Sequence, residues 1–283
     1  MTGARNVERR AKRCMILVAV CVFARSIWAD AWTQPAGHGQ VIWNSTFTDI
    51  SHEFDGSGKI TLFGDGGKFR KLEINPYFEY GLNASTSLVV NAFLPALNYS
   101  NNYRSSSSFG LGDVEAGVRR RLNPTESAFA VSTQFTVLFP TYSADRNPAP
   151  GNHQVDVETR LMAGRGFEVR RHHNFLSIGA AYRYRNGPPA DQIRTDATWG
   201  IDVTGRLMAM AQYSGITGMR NGKPLEALDN PNLQSDFDLY KGQISLVVRI
   251  TPKTRIQCGW IDAFAGRNTG HGETALVAIW RSF

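Results

Sequence analysis

From about residue 39 onward the chain alternates apolar and polar positions with a period of two. In KLEINPYFEY, Leu72, Ile74, Pro76, Phe78 and Tyr80 share one face, and Lys71, Glu73, Asn75, Tyr77 and Glu79 share the other. FLSIGAAYRYR sets Leu176, Ile178, Ala180, Tyr182 and Tyr184 against Ser177, Gly179, Ala181, Arg183 and Arg185. YKGQISLVVRI sets Tyr240, Ile244, Leu246, Val248 and Ile250 against Lys241, Gln243, Ser245 and Arg249. VDVETRLMA places Asp156, Glu158 and Arg160 opposite Val155, Val157 and Leu161, and ATWGIDVT places Thr198, Asp202 and Thr204 opposite Trp199, Ile201 and Val203. Successive side chains of a strand point to opposite faces, so this spacing predicts β-strands throughout. About twelve are expected, near 39–50, 68–80, 86–97, 109–121, 127–139, 153–164, 174–185, 195–204, 207–217, 237–250, 254–264 and 273–283.

The connections alternate too. GLNAS, LNPTES, VTGR and TPKT are short, and RGFEVRRHHN is somewhat longer. Between them lie SHEFDGSGK, NYSNNYRSSSS, TYSADRNPAPGN, RNGPPADQ and GMRNGKPLEALDNPNLQS, mostly longer and rich in Gly, Asn, Asp and Pro. Alternation by itself does not say which face meets a core. A soluble sandwich hides its apolar rows, whereas a membrane barrel turns them to lipid. Strands near the 9–11 residues of a tilted membrane crossing favour the barrel. So do the short and long connections, which match periplasmic turns and external loops, and the aromatics Tyr80, Tyr99, Tyr182, Tyr184, Tyr213 and Trp260 near strand ends. The expected fold is all-β: a single up-and-down antiparallel transmembrane β-barrel of about 12 strands over residues 32–283. It would sit in the outer membrane of a Gram-negative bacterium, with the lipid bilayer around it.

The last stretch, ETALVAIWRSF, fits that picture. An open strand edge cannot face hydrocarbon, so the final strand must pair with the first. Its outward row would be Ala275, Val277, Ile279 and Phe283, with Arg281 near an interface, where its charge costs only about 0–1 kcal/mol. A terminal Phe on such a strand resembles the assembly signal of bacterial outer-membrane barrels, which implies the barrel assembly machinery as a partner and Phe283 as the residue it reads.

At the other end, basic MTGARNVERRAKR, apolar CMILVAVCVFA and Ala29-Asp30-Ala31 are the three parts of a secretory signal peptide, assigned to residues 1–31 with cleavage after Ala31 or Ala29. Its removal changes the charge. The whole chain carries +7, but residues 32–283 hold 25 basic and 22 acidic side chains, a balance of +3. Net charge therefore gives no reason to invoke nucleic acid. Cys258 is left alone, with no disulfide or zinc pairing open to it.

If the apolar rows face lipid, the polar rows face inward: Lys71, Glu73, Glu79, Asp113, Glu115, Arg119, Asp156, Glu158, Arg160, Arg183, Arg185, Asp202, Lys241 and Arg249. Both signs occur in similar numbers, unlike the single-sign rings of strongly ion-selective pores. Such a lumen could be a network of paired charges supporting the wall, or a ladder guiding a solute.

No catalytic, metal or cofactor site is expected. Twelve-stranded membrane phospholipases carry a His and a Ser two apart, and none of the six histidines has a Ser two residues later. GLGDVEAG has Glu115 where a dinucleotide motif needs its third glycine. GDGGK lacks the leading glycine of a phosphate loop and precedes a strand.

AWTQPAGHGQVI, EYGLNASTSL, GLGDVEAGVRRRL and the closing aromatic strand together resemble the phenol meta-pathway degradation-like outer-membrane proteins. The resemblance spans most of residues 31–283 and rests on structural signatures, with no functional residues to carry over. It implies a barrel of this size that passes small hydrophobic or aromatic compounds across the outer membrane. Two readings stay open: a channel for a small apolar solute, and a non-transporting structural or receptor-like barrel. The second would have a lumen closed by salt bridges and external loops that bind, the Gly218–Ser235 and Ser100–Ser108 stretches foremost.

Overall fold

The computed structural model describes residues 31–225 and 229–283. The expected signal segment, except Ala31, lies outside the described residues. One antiparallel sheet holds everything else. Its strands are β1 (Gly39–Phe54), β2 (Lys68–Asn83), β3 (86–100), β4 (105–121), β5 (Phe129–Pro140), β6 (Asp156–Val169), β7 (His172–Arg185), β8 (Gln192–Asp202), β9 (Leu207–Gly218), β10 (Asp238–Thr251), β11 (Thr254–Arg267) and β12 (Thr269–Ser282). β3 is Thr86–Ala92 and Leu94–Ser100 joined through Phe93; β4 is Ser105–Phe109 and Asp113–Arg121 joined through 110–112. A three-residue offshoot, Ile60–Leu62, pairs with the end of β1.

Each strand pairs with its sequence neighbours, and β1 pairs with both β2 and β12, from Gly39↔Tyr80 to Ile50↔Phe69 and from Gln40↔Ser282 to Phe54↔Thr269. The sheet therefore closes into a 12-stranded barrel. Closure is completed where Gly39 and Phe283 exchange two backbone hydrogen bonds of 3.1 and 3.0 Å. One end carries Gly39, Phe283 and the turns at 84–85, 122–128, 170–171, 203–206 and 252–253. The other carries the loops 55–67, 141–155, 186–191 and 219–237. Short turns mark the periplasmic end.

The outer wall is apolar. Leu72, Ile178 and Leu246 are each 52% exposed, while inward-facing Ile42 and Trp280 are 0% and 2%. A continuous belt of such side chains is stable against acyl chains, not against water, since each Å² of apolar surface left in water costs about 25 cal/mol. Arg281 donates from Nη1 to Thr254 Oγ1 at 2.6 Å on the periplasmic rim, an interfacial depth at which a charge is tolerated.

Several local expectations change. The Ser100–Ser108 stretch is mostly strand: β3 and β4 pair from Ala96↔Phe109 to Ser100↔Ser105 and project beyond β5. The polar run is held by this backbone pairing and by bonds to the external loops, from Ser106 Oγ to Asp229 at 3.0 Å and from Ser108 Oγ to the Pro148 carbonyl at 2.6 Å. The break between β11 and β12 shrinks to Asn268, with φ of 49°. His172 and His173 open β7, and the turn before them is made by Arg170 and Arg171, both at positive φ. Tyr99 belongs to the inner face, packed on Ile50, Phe69 and Leu97. Tyr213 and Trp260 lie mid-strand, because β9 and β11 run further than their apolar patterns do.

Candidate functional site

Residues 31–38 do not alternate, and they enter the barrel instead of extending the wall. Ala31 is buried against Ala130 and Met162, and its carbonyl accepts a 2.8 Å hydrogen bond from Ser132 Oγ. The Trp32 ring lies over Gly164, and the Gln34 amide donates to Ser87 Oγ at 2.8 Å. Pro35 to Gly37 run against Gly81, whose missing side chain makes room: a Cβ there would sit 2.1 Å from the Pro35 carbonyl oxygen.

Above this segment is a packed layer. Ile42, Val89, Phe175, Met208, Met210, Val247 and Trp280 form an apolar cluster with Trp32 inside the periplasmic half of the barrel. Set into it is a buried polar triad. Arg119 donates from Nη1 to the Glu79 carboxylate (3.3 Å) and the Trp32 carbonyl (3.3 Å), from Nη2 to Tyr77 Oη (3.2 Å), and from Nε to Gln134 (3.0 Å). Tyr77 Oη in turn donates to Glu79 at 3.0 Å. Burial of two charges needs this much satisfaction, since an unpaired one would be strongly destabilising.

On the extracellular side of the layer lies a cavity of about 450 Å³. Side chains from β4, β6, β7 and β8 meet across it. Arg183 of β7 bonds Glu115 of β4 (3.2 Å) and Glu158 of β6 (2.8 Å). Glu158 also takes Arg160 (2.9 Å) and Arg194 (3.4 Å), and Arg160 pairs with Asp196. Gly179, between β6 and β8 at this level, leaves the space into which Asp196 leans. Apolar patches interrupt the polar lining at Phe93, Ile216, Leu239 and Ile261.

Of the fourteen polar-row residues, Glu115, Glu158, Arg160, Arg183 and Lys241 line this cavity, and Arg119 reaches it from the layer below. Lys71 and Glu73 pair with each other at 3.3 Å. Asp156 and Arg185 form a separate pair at 2.9 Å toward the outer rim, where Asp113 is bonded by Tyr142 of loop 141–155. Asp202 lines a second cavity, of about 480 Å³, on the periplasmic side beside Trp32, Arg121 and His173. Arg249 is exposed at that same end. The two cavities share no lining residue. Arg194 and Asp196 precede ATWGIDVT, the stretch whose alternation defines the polar row of β8; carrying that alternation back from Thr198 through Asp196 and Arg194 to Gln192 places both on the inner face.

The external loops are tied over the opposite end. Asp229 of loop 219–237 accepts hydrogen bonds from Arg104, from Ser106 Oγ (3.0 Å) and from Asn147 (2.9 Å). Asn230 donates to the Ala149 carbonyl at 2.8 Å.

No family model and no curated protein sequence matches the chain. Among solved structures it is similar to the COG4313 outer membrane channel from Pseudomonas putida F1, with a TM-score of 0.67 and 13% identity over 92% of this chain and 100% of that one. The KdgM porin (TM-score 0.47, 8% identity, 86% and 99% covered) and the CymD monoaromatic hydrocarbon channel (0.43, 11%, 88% and 89%) align more loosely. At these identities the likeness is one of fold. Closed wall, apolar belt and shared fold together make the chain a β-barrel of the Gram-negative outer membrane, embedded in its lipid bilayer.

Proposed function

We propose that the barrel is a channel for small compounds with an apolar or aromatic body. The observation that carries this reading is the pair of cavities stacked within one closed wall, one lined from the external side and one from the periplasmic side. The fold likeness to a solved outer membrane channel supports it, as does the resemblance of the strand signatures to phenol meta-pathway degradation-like proteins. Passage requires the segment 31–38 and the Trp32 layer to shift, because they separate the two spaces. Single-channel recording with purified protein in planar bilayers, together with uptake of small aromatics into vesicles, tests the proposal. Neither current nor uptake would remove it.

One observation favours the second reading, a non-transporting barrel that binds through its loops. The Glu79–Arg119–Tyr77 triad and the apolar cluster fill the lumen with buried side chains, Glu79 and Arg119 at 1% and 3% exposure. A lumen that stays closed to water in the bilayer would decide for it. In either case we propose that the assembly machinery reads Phe283; its ring, stacked on Phe78 at 6.2 Å beside the β1–β12 seam, supports that reading.

A further inference from the structure

Around the 450 Å³ cavity every carboxylate is paired, but not every cation is. Its lining holds Arg119, Arg160, Arg183, Arg194 and Lys241 against Glu115, Glu158 and Asp196; Glu79 beneath it balances Arg119, which leaves one positive charge in excess. The excess has an address. Lys241 faces the cavity, and among the described residues its ammonium has no hydrogen-bond acceptor or carboxylate in bonding reach. Its electrostatic neighbours are Lys71, Glu73 and Arg194, and Glu73 is already held by Lys71. Arg194 touches Glu158 at 3.4 Å only as the third guanidinium on that carboxylate, so among the described residues most of its N–H donors are unused.

From this geometry, and resting on the channel reading above, we propose that the solute is a small organic anion. Its carboxylate docks between Lys241 and Arg194, and its apolar body lies on Phe93, Ile216, Leu239 and Ile261. The volume is in the range of small-molecule sites. Charge-assisted hydrogen bonds to two cations supply the attraction. A single net charge keeps the site weak enough to release what it binds, as permeation requires. A neutral aromatic would gain the apolar contacts but leave the ammonium unsatisfied.

The test uses the full mature barrel in planar bilayers under a KCl gradient, with sodium benzoate as probe and benzyl alcohol as its uncharged counterpart. Wild-type protein should be anion-selective. Lys241→Gln should reduce that selectivity several-fold and raise the half-blocking benzoate concentration about tenfold, the usual effect of losing one charge-assisted bond. Lys241→Arg should retain both, and benzyl alcohol should not block. Cation selectivity, equal block by the two probes, or block unchanged in Lys241→Gln overturns the proposal. If the barrel shows neither current nor uptake, the channel reading falls by itself, and calorimetry of benzoate with the folded barrel in detergent decides the site. Heat with wild type that disappears in Lys241→Gln sustains it, and no heat with wild type overturns it.

Discussion

Replacing Glu79 by Gln tests whether the packed layer is as dry as its geometry indicates. The side chain keeps its size and one acceptor oxygen, but Arg119 loses the charge it pairs with while remaining buried at 3% exposure. Tyr77 Oη, and Gln40 at 3.4 Å, lose their anionic acceptor as well. Removing one partner of a buried ion pair costs about 3–5 kcal/mol. At 1.4 kcal/mol per decade, the folding equilibrium should fall roughly a hundredfold to several thousandfold. Urea unfolding of the barrel in lipid vesicles, followed by tryptophan fluorescence, measures this directly. The paired change Glu79→Leu with Arg119→Met removes both charges and should be milder than Glu79→Gln alone, since apolar side chains of similar volume can replace a buried pair at little cost. A loss below about 1 kcal/mol for Glu79→Gln, the value of a solvated pair, would refute the reasoning and show that water already reaches the layer.

Three other outcomes follow. Gly81→Ala places a Cβ 2.1 Å from the Pro35 oxygen, so segment 31–38 should leave the wall, and hydrogen exchange at the Gly37 and Gly81 amides, each now paired at 2.9 Å, should accelerate; unchanged protection contradicts the packing. On β10, Ile244→Arg, mid-strand and 68% exposed, should destabilise the barrel by about 2–4 kcal/mol, and Ile250→Arg near the periplasmic end by about 0–1, both read by urea unfolding; equal costs argue against a membrane-depth gradient. Because Ala31 is fully buried and bonded to Ser132, intact mass should show a mature chain beginning at Asp30; a chain beginning at Trp32 contradicts the role given to Ala31.

The wall was legible because lipid and lumen impose opposite demands on alternate residues, and all twelve strands can be placed that way. The inner face was legible only where it is charged. Phe175, Met208, Met210, Val247 and Trp280 point inward among outward apolar neighbours, and binary patterning cannot separate a greasy residue facing lipid from one in a packed lumen. Residues 31–38 carry no period, so nothing local says that AWTQPAGH folds back inside; only the Gly81 and Gly164 gaps, three-dimensional facts, reveal where it fits. The serine run of β4 carries no strand signal of its own, because the strand there forms by pairing with β3 and not from composition. Likewise, which carboxylate serves which cation depends on reach across the barrel, as with Arg183 and Glu115, a separation no linear spacing encodes.

The outward turn of the apolar rows underlies everything else. Nitroxide labels at each position from 176 to 183 of β7, reconstituted in vesicles, report it directly through collisions with oxygen dissolved in the bilayer. Accessibility should peak at Leu176, Ile178, Ala180 and Tyr182 and fall at Ser177, Gly179, Ala181 and Arg183. Peaks on the second set, or no period of two, would contradict the account.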